Sequence, residues 1–192
     1  MTAPHAIALF GGTFDPVHLG HIHLATLAKD ACALDQVRFL PCRISPHKTG
    51  SSPTPAPDRV ELLRLATRNI PWAVVDDCET RRHGPSFSYL TAEETHARFP
   101  GARLFWIMGG DQWDVLPTWR NAGRLAELVE FIVLARGSEL ARHDGFRHHL
   151  VRGAHPASAS AIRQSLLAGE SSHPWLDPQV AERIREKQLY RK

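Results

Sequence analysis

The chain has 192 residues, 43% of them apolar and 22% charged, with a net charge of +3. Such a length suits one domain that buries roughly 70% of its unfolded surface, and the composition is that of an ordinary globular protein rather than a fibrous or disordered one. No run approaches the length of a membrane span, and the first residues lack a basic region followed by a long apolar core, so a cytoplasmic protein is expected.

Cys32, Cys42 and Cys78 are odd in number, widely spaced and fit no zinc pattern, which points to reduced thiols. The charge is unevenly spread. Between residues 136 and 155 four arginines and four histidines face only Glu139 and Asp144, and the last twelve residues hold five basic and two acidic side chains. Such clusters permit contact with nucleic acid, but a solvated basic surface is the expected reading.

In chain order, Ala6 to Phe10 is a short apolar run suited to a buried parallel strand. Gly11-Gly12-Thr13-Phe14-Asp15-Pro16-Val17-His18-Leu19-Gly20-His21 follows, and then a glycine-free, proline-free run from Ile22 to Ala33 predicts a helix opening near His18. This is a strand-to-helix turn, where open α/β sheets bind ligands. Gly11 and Gly12 allow close approach of backbone to a ligand, and Pro16 suits a helix opening. The helix start offers N–H groups and a partial positive charge, a seat for phosphate. His18 and His21, three apart, project from one side of the first turn and can hydrogen-bond phosphate oxygens. His23 lies roughly 160° away from His21 on the helical wheel, which argues against a metal site on this helix alone. The stretch is neither a Walker A loop nor a G-x-G-x-x-G fingerprint.

These eleven residues resemble the T/HxGH phosphate-binding signature of the nucleotidyltransferase superfamily. In full, GGTFDPVHLGH is similar to the motif of the bacterial nicotinate mononucleotide adenylyltransferase family. The resemblance implies ATP contacts by Gly11, Gly12, Thr13, Phe14, His18 and His21.

Further along, Gln36 to Leu40 reads as a second strand, and the alternation of strand and helix implies βαβ units. Residues 41 to 57 form a proline-rich loop of a length usually tied to function. Within it, Ser45-Pro46-His47-Lys48 resembles the family's P-x-H-K stretch, which makes Lys48 a candidate for triphosphate oxygens. Asp58, with Glu61 three residues later, predicts a helix start. Trp72 to Val75 reads as a third strand. The segment Arg82-His83-Gly84-Pro85-Ser86-Phe87-Ser88-Tyr89-Leu90-Thr91 predicts a helix entry capped by Ser86 or Ser88. It is similar to the family's R-x-G-x-S-Y-T-x-x-T, which implies that the backbone near Ser88 meets a nicotinate carboxylate.

Leu104 to Met108 is the best candidate for a central strand, and it ends in Gly109-Gly110-Asp111. The residues from Asp111 to Arg120 resemble the family's G-x-D…P-x-W segment. That implies mononucleotide contacts by Asp111, Trp119 and Arg120, with Trp119 stacking on the pyridine ring; Trp113 is assigned to the core. Phe131 to Ala135 reads as a fifth strand, residues 137 to 153 as a loop with a possible short helix, and residues from about 178 to 186 as the last helix. Ser158-Ala159-Ser160-Ala161-Ile162-Arg163 resembles the family's I-S-S-T-x-I-R, with Ala157 in place of Ile and Ala159 in place of the middle Ser. Ser160 as N-cap and Arg163 in the first turn predict a second helix end aimed at anionic oxygen, with Ser158 also at ATP.

The five motifs fall in family order and span nearly the whole chain. What they imply is a doubly wound, mostly parallel α/β sheet, a Rossmann-like nucleotidyltransferase fold in a single domain of residues 1–192. Its helical part from about 157 to 192 would carry the late phosphate motif. They further imply transfer of AMP from ATP to nicotinate mononucleotide. His18, His21, Lys48 and Arg163 would hold the triphosphate, and Mg2+ would arrive with ATP. No nucleophilic serine or cysteine with a base stands in the motifs, so direct attack fits better than a covalent route. The alternatives are a sister adenylyltransferase acting on nicotinamide mononucleotide or phosphopantetheine, a metal-dependent hydrolase, and a nucleotide-binding module without catalysis.

Overall fold

Six short runs rich in Val, Ile, Leu and Phe pair side by side in a computed structural model that describes residues 4–46, 53–135, 137 and 139–191. They are β1 (Ala6–Gly12), β2 (Gln36–Pro41), β3 (Ala73–Val75), β4 (Arg103–Gly109), β5 (Glu130–Ala135) and β6 (His148–Arg152). Their order in the sheet is β3-β2-β1-β4-β5-β6, and every neighbouring pair is parallel. β1 and β4 lie at the centre in register from Ala6 opposite Arg103 to Phe10 opposite Ile107. The chain winds outward from β1 through β2 and β3, then returns to start again at β4. The gap between β1 and β4 is therefore the topological switch point, and this is the doubly wound sheet expected.

Alternation along the strands supplies two cores. Ala8 and Phe10 of β1 and Phe105 and Ile107 of β4 point to one face, and Ile7, Leu9, Trp106 and Met108 point to the other. The first face is covered by α1 (Leu19–Ala31), α2 (Ala56–Thr67), α7 (Ala159–Leu167) and α8 (Pro178–Glu186), which contribute Ala25, Leu62, Ile162 and Ile184. The second is covered by α4 (Ser88–Arg98), α5 (Gly110–Val115) and α6 (Ala122–Leu128), through Ala92, Trp113 and Leu125. A short α3 (Cys78–Arg81) completes the helices. Trp113 is fully buried, as its core assignment required.

Several boundaries differ from the sequence expectations. α1 opens at Leu19 with His18 as its N-cap, and Pro16, after a cis peptide bond, sits in the turn before it. α2 opens at Ala56, so Asp58 lies in its first turn and is engaged by Lys187 Nζ at 2.7 Å instead of capping. The N-cap of α4 is Phe87, not a serine; the Ser86 hydroxyl is taken by the Arg43 N–H at 3.0 Å. Residues 148–152, expected within a loop, form β6. That strand pairs on one edge only and buries only Val151, so its apolar signal is weak. No helix among the described residues is long and apolar enough to cross a membrane.

Candidate active site

The carboxyl ends of β1 and β4 open into a cleft of about 370 Å³. Of the residues singled out from sequence, Gly11, Gly12, Thr13, Ser88, Asp111 and Trp119 line it. Both glycines owe their place to packing as well as to access. A Cβ on Gly11 would stand 3.1 Å from the Trp106 ring, and one on Gly12 would stand 3.0 Å from the Phe14 ring. Phe14 is 2% exposed and holds φ at 50°, a left-handed conformation that a bulky side chain adopts only under constraint. Edge-on contacts to Phe10 at 5.7 Å and His21 at 5.0 Å supply that constraint.

His18 and His21 meet beside this end of the cleft. Their rings stack with centroids 3.7 Å apart, and the His18 N–H donates to His21 Nδ1 at 3.2 Å. With Nδ1 accepting, the proton of a neutral His21 sits on Nε2, which is then a donor. His18 is only 8% exposed, and its Nδ1 is buried with no hydrogen-bond partner among the described residues. Burial, reinforced by the charges of His155 and His173 and partly offset by a backbone contact, pulls its pKa down to about 4. His18 is thus neutral at neutral pH. The helix start offers fewer open amides than the sequence suggests: the Leu19 N–H is taken by the Trp175 carbonyl and the His21 N–H by that of His18, both at 2.9 Å.

The late motif packs against the same turn. A Cβ on Gly20 would meet His18 Nδ1, His155 Nδ1 and the Ala157 Cβ at 3.0–3.1 Å, so only glycine lets α1 and the late motif approach this closely. Ser158, not Ser160, caps α7, accepting from the Ala161 N–H at 3.5 Å. Ser160 is exposed and accepts instead from Arg163 Nη2 at 3.4 Å. Arg163 Nη1 donates to the Asp15 carbonyl at 2.6 Å, which ties the two motifs together. Lys48 and His47 lie outside the described residues.

Arg59, Asp15 and Tyr190, to which the sequence reading gave no role, hold this end in place. Arg59, 1% exposed, spends its guanidinium on three carbonyls: Thr13 at 2.7 Å, Cys42 at 2.8 Å and Thr54 at 2.8 Å. Asp15, 8% exposed, accepts from the Tyr190 hydroxyl at 2.6 Å and from the Thr54 N–H at 3.3 Å. No local pattern marks such groups; a buried arginine in an amphipathic helix reads as a surface residue.

At the far end of the cleft, Ser88 is the first residue of α4 and Trp119 is half-buried, its backbone N–H committed to the Leu116 carbonyl at 2.9 Å. Asp111 is exposed, and its carboxylate folds over Gly109, where a Cβ would stand 2.7 Å from Oδ1. Arg120 is not among the residues that line the cleft; its guanidinium stands 5.0 Å over the Phe87 ring. Glu79, unassigned from sequence, also lines the cleft while only 4% exposed. Burial pushes its pKa up, and it accepts from the Thr91 hydroxyl at 2.7 Å, steadying the first turn of α4. Among the described residues no group of three or more His, Cys, Asp or Glu side chains could hold a metal ion.

Comparison with known proteins agrees with this geometry. The family model for cytidylyltransferase-like proteins matches residues 9–165. A Shouchella clausii protein described as "Probable nicotinate-nucleotide adenylyltransferase" is 35% identical over 184 residues, covering 96% of each chain. A Neisseria meningitidis serogroup B protein of the same description is 35% identical, covering 97% of this chain and 98% of its own. Among solved structures, a Plasmodium falciparum nicotinic acid mononucleotide adenylyltransferase complexed with NaAD superposes with a TM-score of 0.75 at 18% identity. It covers 96% of this chain and 97% of its own, so the two share a fold. A switch-point cleft, two stacked histidines at a helix start and relatives that match end to end lead to one conclusion: the chain belongs to the cytidylyltransferase-like family and, within it, to the nicotinate-nucleotide adenylyltransferases.

Proposed function

We propose that the protein transfers the adenylyl group of ATP to nicotinate mononucleotide in the cytoplasm, as a step of NAD biosynthesis. A phosphate oxygen of the mononucleotide attacks the α-phosphorus of ATP. The bond from that phosphorus to the bridging oxygen of the β-phosphate breaks, releasing pyrophosphate and leaving nicotinate adenine dinucleotide. ATP enters as its magnesium complex, the ion held mainly by phosphates and water. The observation that carries the reading is the stacked His18–His21 pair at the opening of α1, beside the switch-point cleft and joined through Asp15 to Arg163.

Catalysis here is positioning plus charge stabilisation, as in other phosphoryl transfers. His21, with its proton on Nε2, donates to phosphate oxygen; His18 supports it as a neutral partner. Arg163 supplies the fixed positive charge from α7, and Lys48, which follows β2 in the sequence, a second one. Gly11, Gly12, Thr13 and Phe14 shape the nucleotide side, with Ser158 and Ser160 at the late motif. Trp119 offers its indole face to the pyridine ring, and the start of α4 at Ser88 offers N–H donors to its carboxylate. Asp111 faces the ribose side of the mononucleotide, and Arg120 borders that pocket through Phe87.

The test is an assay of pyrophosphate release with ATP, magnesium and each candidate mononucleotide. N–H donors suit a carboxylate, which only accepts, whereas a carboxamide must turn its own NH2 away from them. Two such contacts give a preference on the order of 10²–10³ in kcat/KM for the acid. Equal efficiency on the amide would overturn the nicotinate assignment, and no turnover with either would overturn the enzyme.

A further inference from the structure

The segment after α8 returns to the phosphate motif. Lys187 anchors it on α2, with Nζ 2.7 Å from Asp58 Oδ1 and 2.6 Å from Glu61 Oε2. Gln188 and Tyr190 then both adopt left-handed backbone, with φ of 52° and 58°, which non-glycine residues hold only where the surroundings dictate it. Those two turns lay Leu189 and Tyr190 against the core face that carries α1 and α2. They also bring the tyrosine hydroxyl 2.6 Å from Asp15 Oδ1. Burial, and the bond to Asp15, raise the phenol pKa, so the hydroxyl stays a donor across the working range of pH.

Asp15 is the meeting point. Its two carboxylate oxygens take Tyr190 and the Thr54 N–H, and its main-chain carbonyl takes Arg163 Nη1 at 2.6 Å. Its carboxylate and its main-chain carbonyl are thus held together, the one by Tyr190 and Thr54 and the other against the guanidinium. Among the described residues, the other hydrogen bond of Arg163, to exposed Ser160, is 3.4 Å long.

We infer that Tyr190 and Asp15 are positioning residues that aim Arg163 at the ATP phosphates, so that the segment after α8 is a working part of the nucleotide site. The inference rests on the adenylyltransferase reading. It differs from a purely structural role in what it predicts. A loosened fold would lower the active fraction and affect both substrates alike, whereas a mis-aimed Arg163 weakens ATP alone.

The experiment is calorimetric titration with magnesium and α,β-methylene ATP, and separately with nicotinate mononucleotide, of the wild type, Tyr190→Phe, Arg163→Lys and the double variant. Tyr190→Phe keeps the ring packing and removes one hydrogen bond to a charged group. It should weaken the ATP analogue about tenfold and leave the mononucleotide within about twofold. In the double variant the tyrosine change should add no more than about twofold to the loss caused by Arg163→Lys, because the group it aims is already altered. Asp15→Asn, which keeps an acceptor for Tyr190 but not the charge, should fall between wild type and Tyr190→Phe. Unchanged analogue affinity, equal weakening of both ligands, or fully additive losses would each overturn the inference. A wild type that binds no ATP analogue would remove the adenylyltransferase reading itself, a result distinct from all of these.

Discussion

At the phosphate end of the cleft, the groups that fix the backbone are themselves withdrawn from water: Arg59 is 1% exposed, and Asp15 and His18 are each 8% exposed. At the far end, Asp111 and Arg120 are exposed and Trp119 is half-buried, although Glu79 of the same cleft is 4% exposed. Buried polar groups that hold partners, as Arg59 and Asp15 do, make a rigid frame, since losing one leaves the others desolvated and unpaired. Exposed groups can shift with little cost. On the proposed reading, the reacting phosphates would meet the more rigid frame and the pyridine substituent the more adjustable rim.

The sharpest way to break this contrast is His21→Ala. Turnover should fall about 10²–10³, the scale for one preorganised donor to developing charge, while the fold survives because the ring is only half-buried. Steady-state kinetics beside a melting curve checks both halves. A variant with wild-type kcat would remove the histidine from catalysis.

Next in size is Trp119→Ala. Stacking supplies contact area rather than choice, so kcat/KM should fall about tenfold for the acid and for the amide alike, with their ratio kept within twofold. If the ratio moved by more, the indole itself would be reading the substituent, and the rim would be less adjustable than drawn.

The smallest effect is a pH dependence. The folded pKa of His18, about 4, lies below its ordinary value of 6.5. Between these values the unfolded chain binds more protons at this site than the folded protein, so stability falls as pH falls through the window. The loss from pH 6.5 to 5.5 should be about 1 kcal/mol, and His18→Gln should lack it. Denaturant midpoints of the two proteins measured across that range give the difference directly; parallel curves would show that His18 is not held neutral by burial.

How legible all this was depends on distance along the chain. The β1–α1 turn could be placed because eleven adjacent residues carry it, and β4 because Leu104 to Met108 is an unbroken apolar run. Helix caps were misassigned where a serine had another suitor: Ser86 is taken by Arg43, and Ser160 by Arg163. β6 was missed because an edge strand that begins with two histidines has almost no apolar alternation. The frame itself was invisible. Arg59 reaches Thr13 across 46 positions, Arg163 reaches Asp15 across 148, and Tyr190 reaches it across 175. Contacts that span such separations leave no periodicity to read, and a polar residue that will be buried looks the same in sequence as one that will not.

That last separation has a consequence during synthesis. Asp15 emerges from the ribosome early, but its partner Tyr190 follows 175 residues later. At about 5–20 residues per second the wait is roughly 9–35 s. During it, β1 lacks first its neighbour β4 and then Arg163, so the nascent chain can build much of its sheet before the contacts to Asp15 form. On the inference drawn above the site is finished last: a chain released before Tyr190 would keep the segments of this sheet and lack the hydroxyl that holds Asp15.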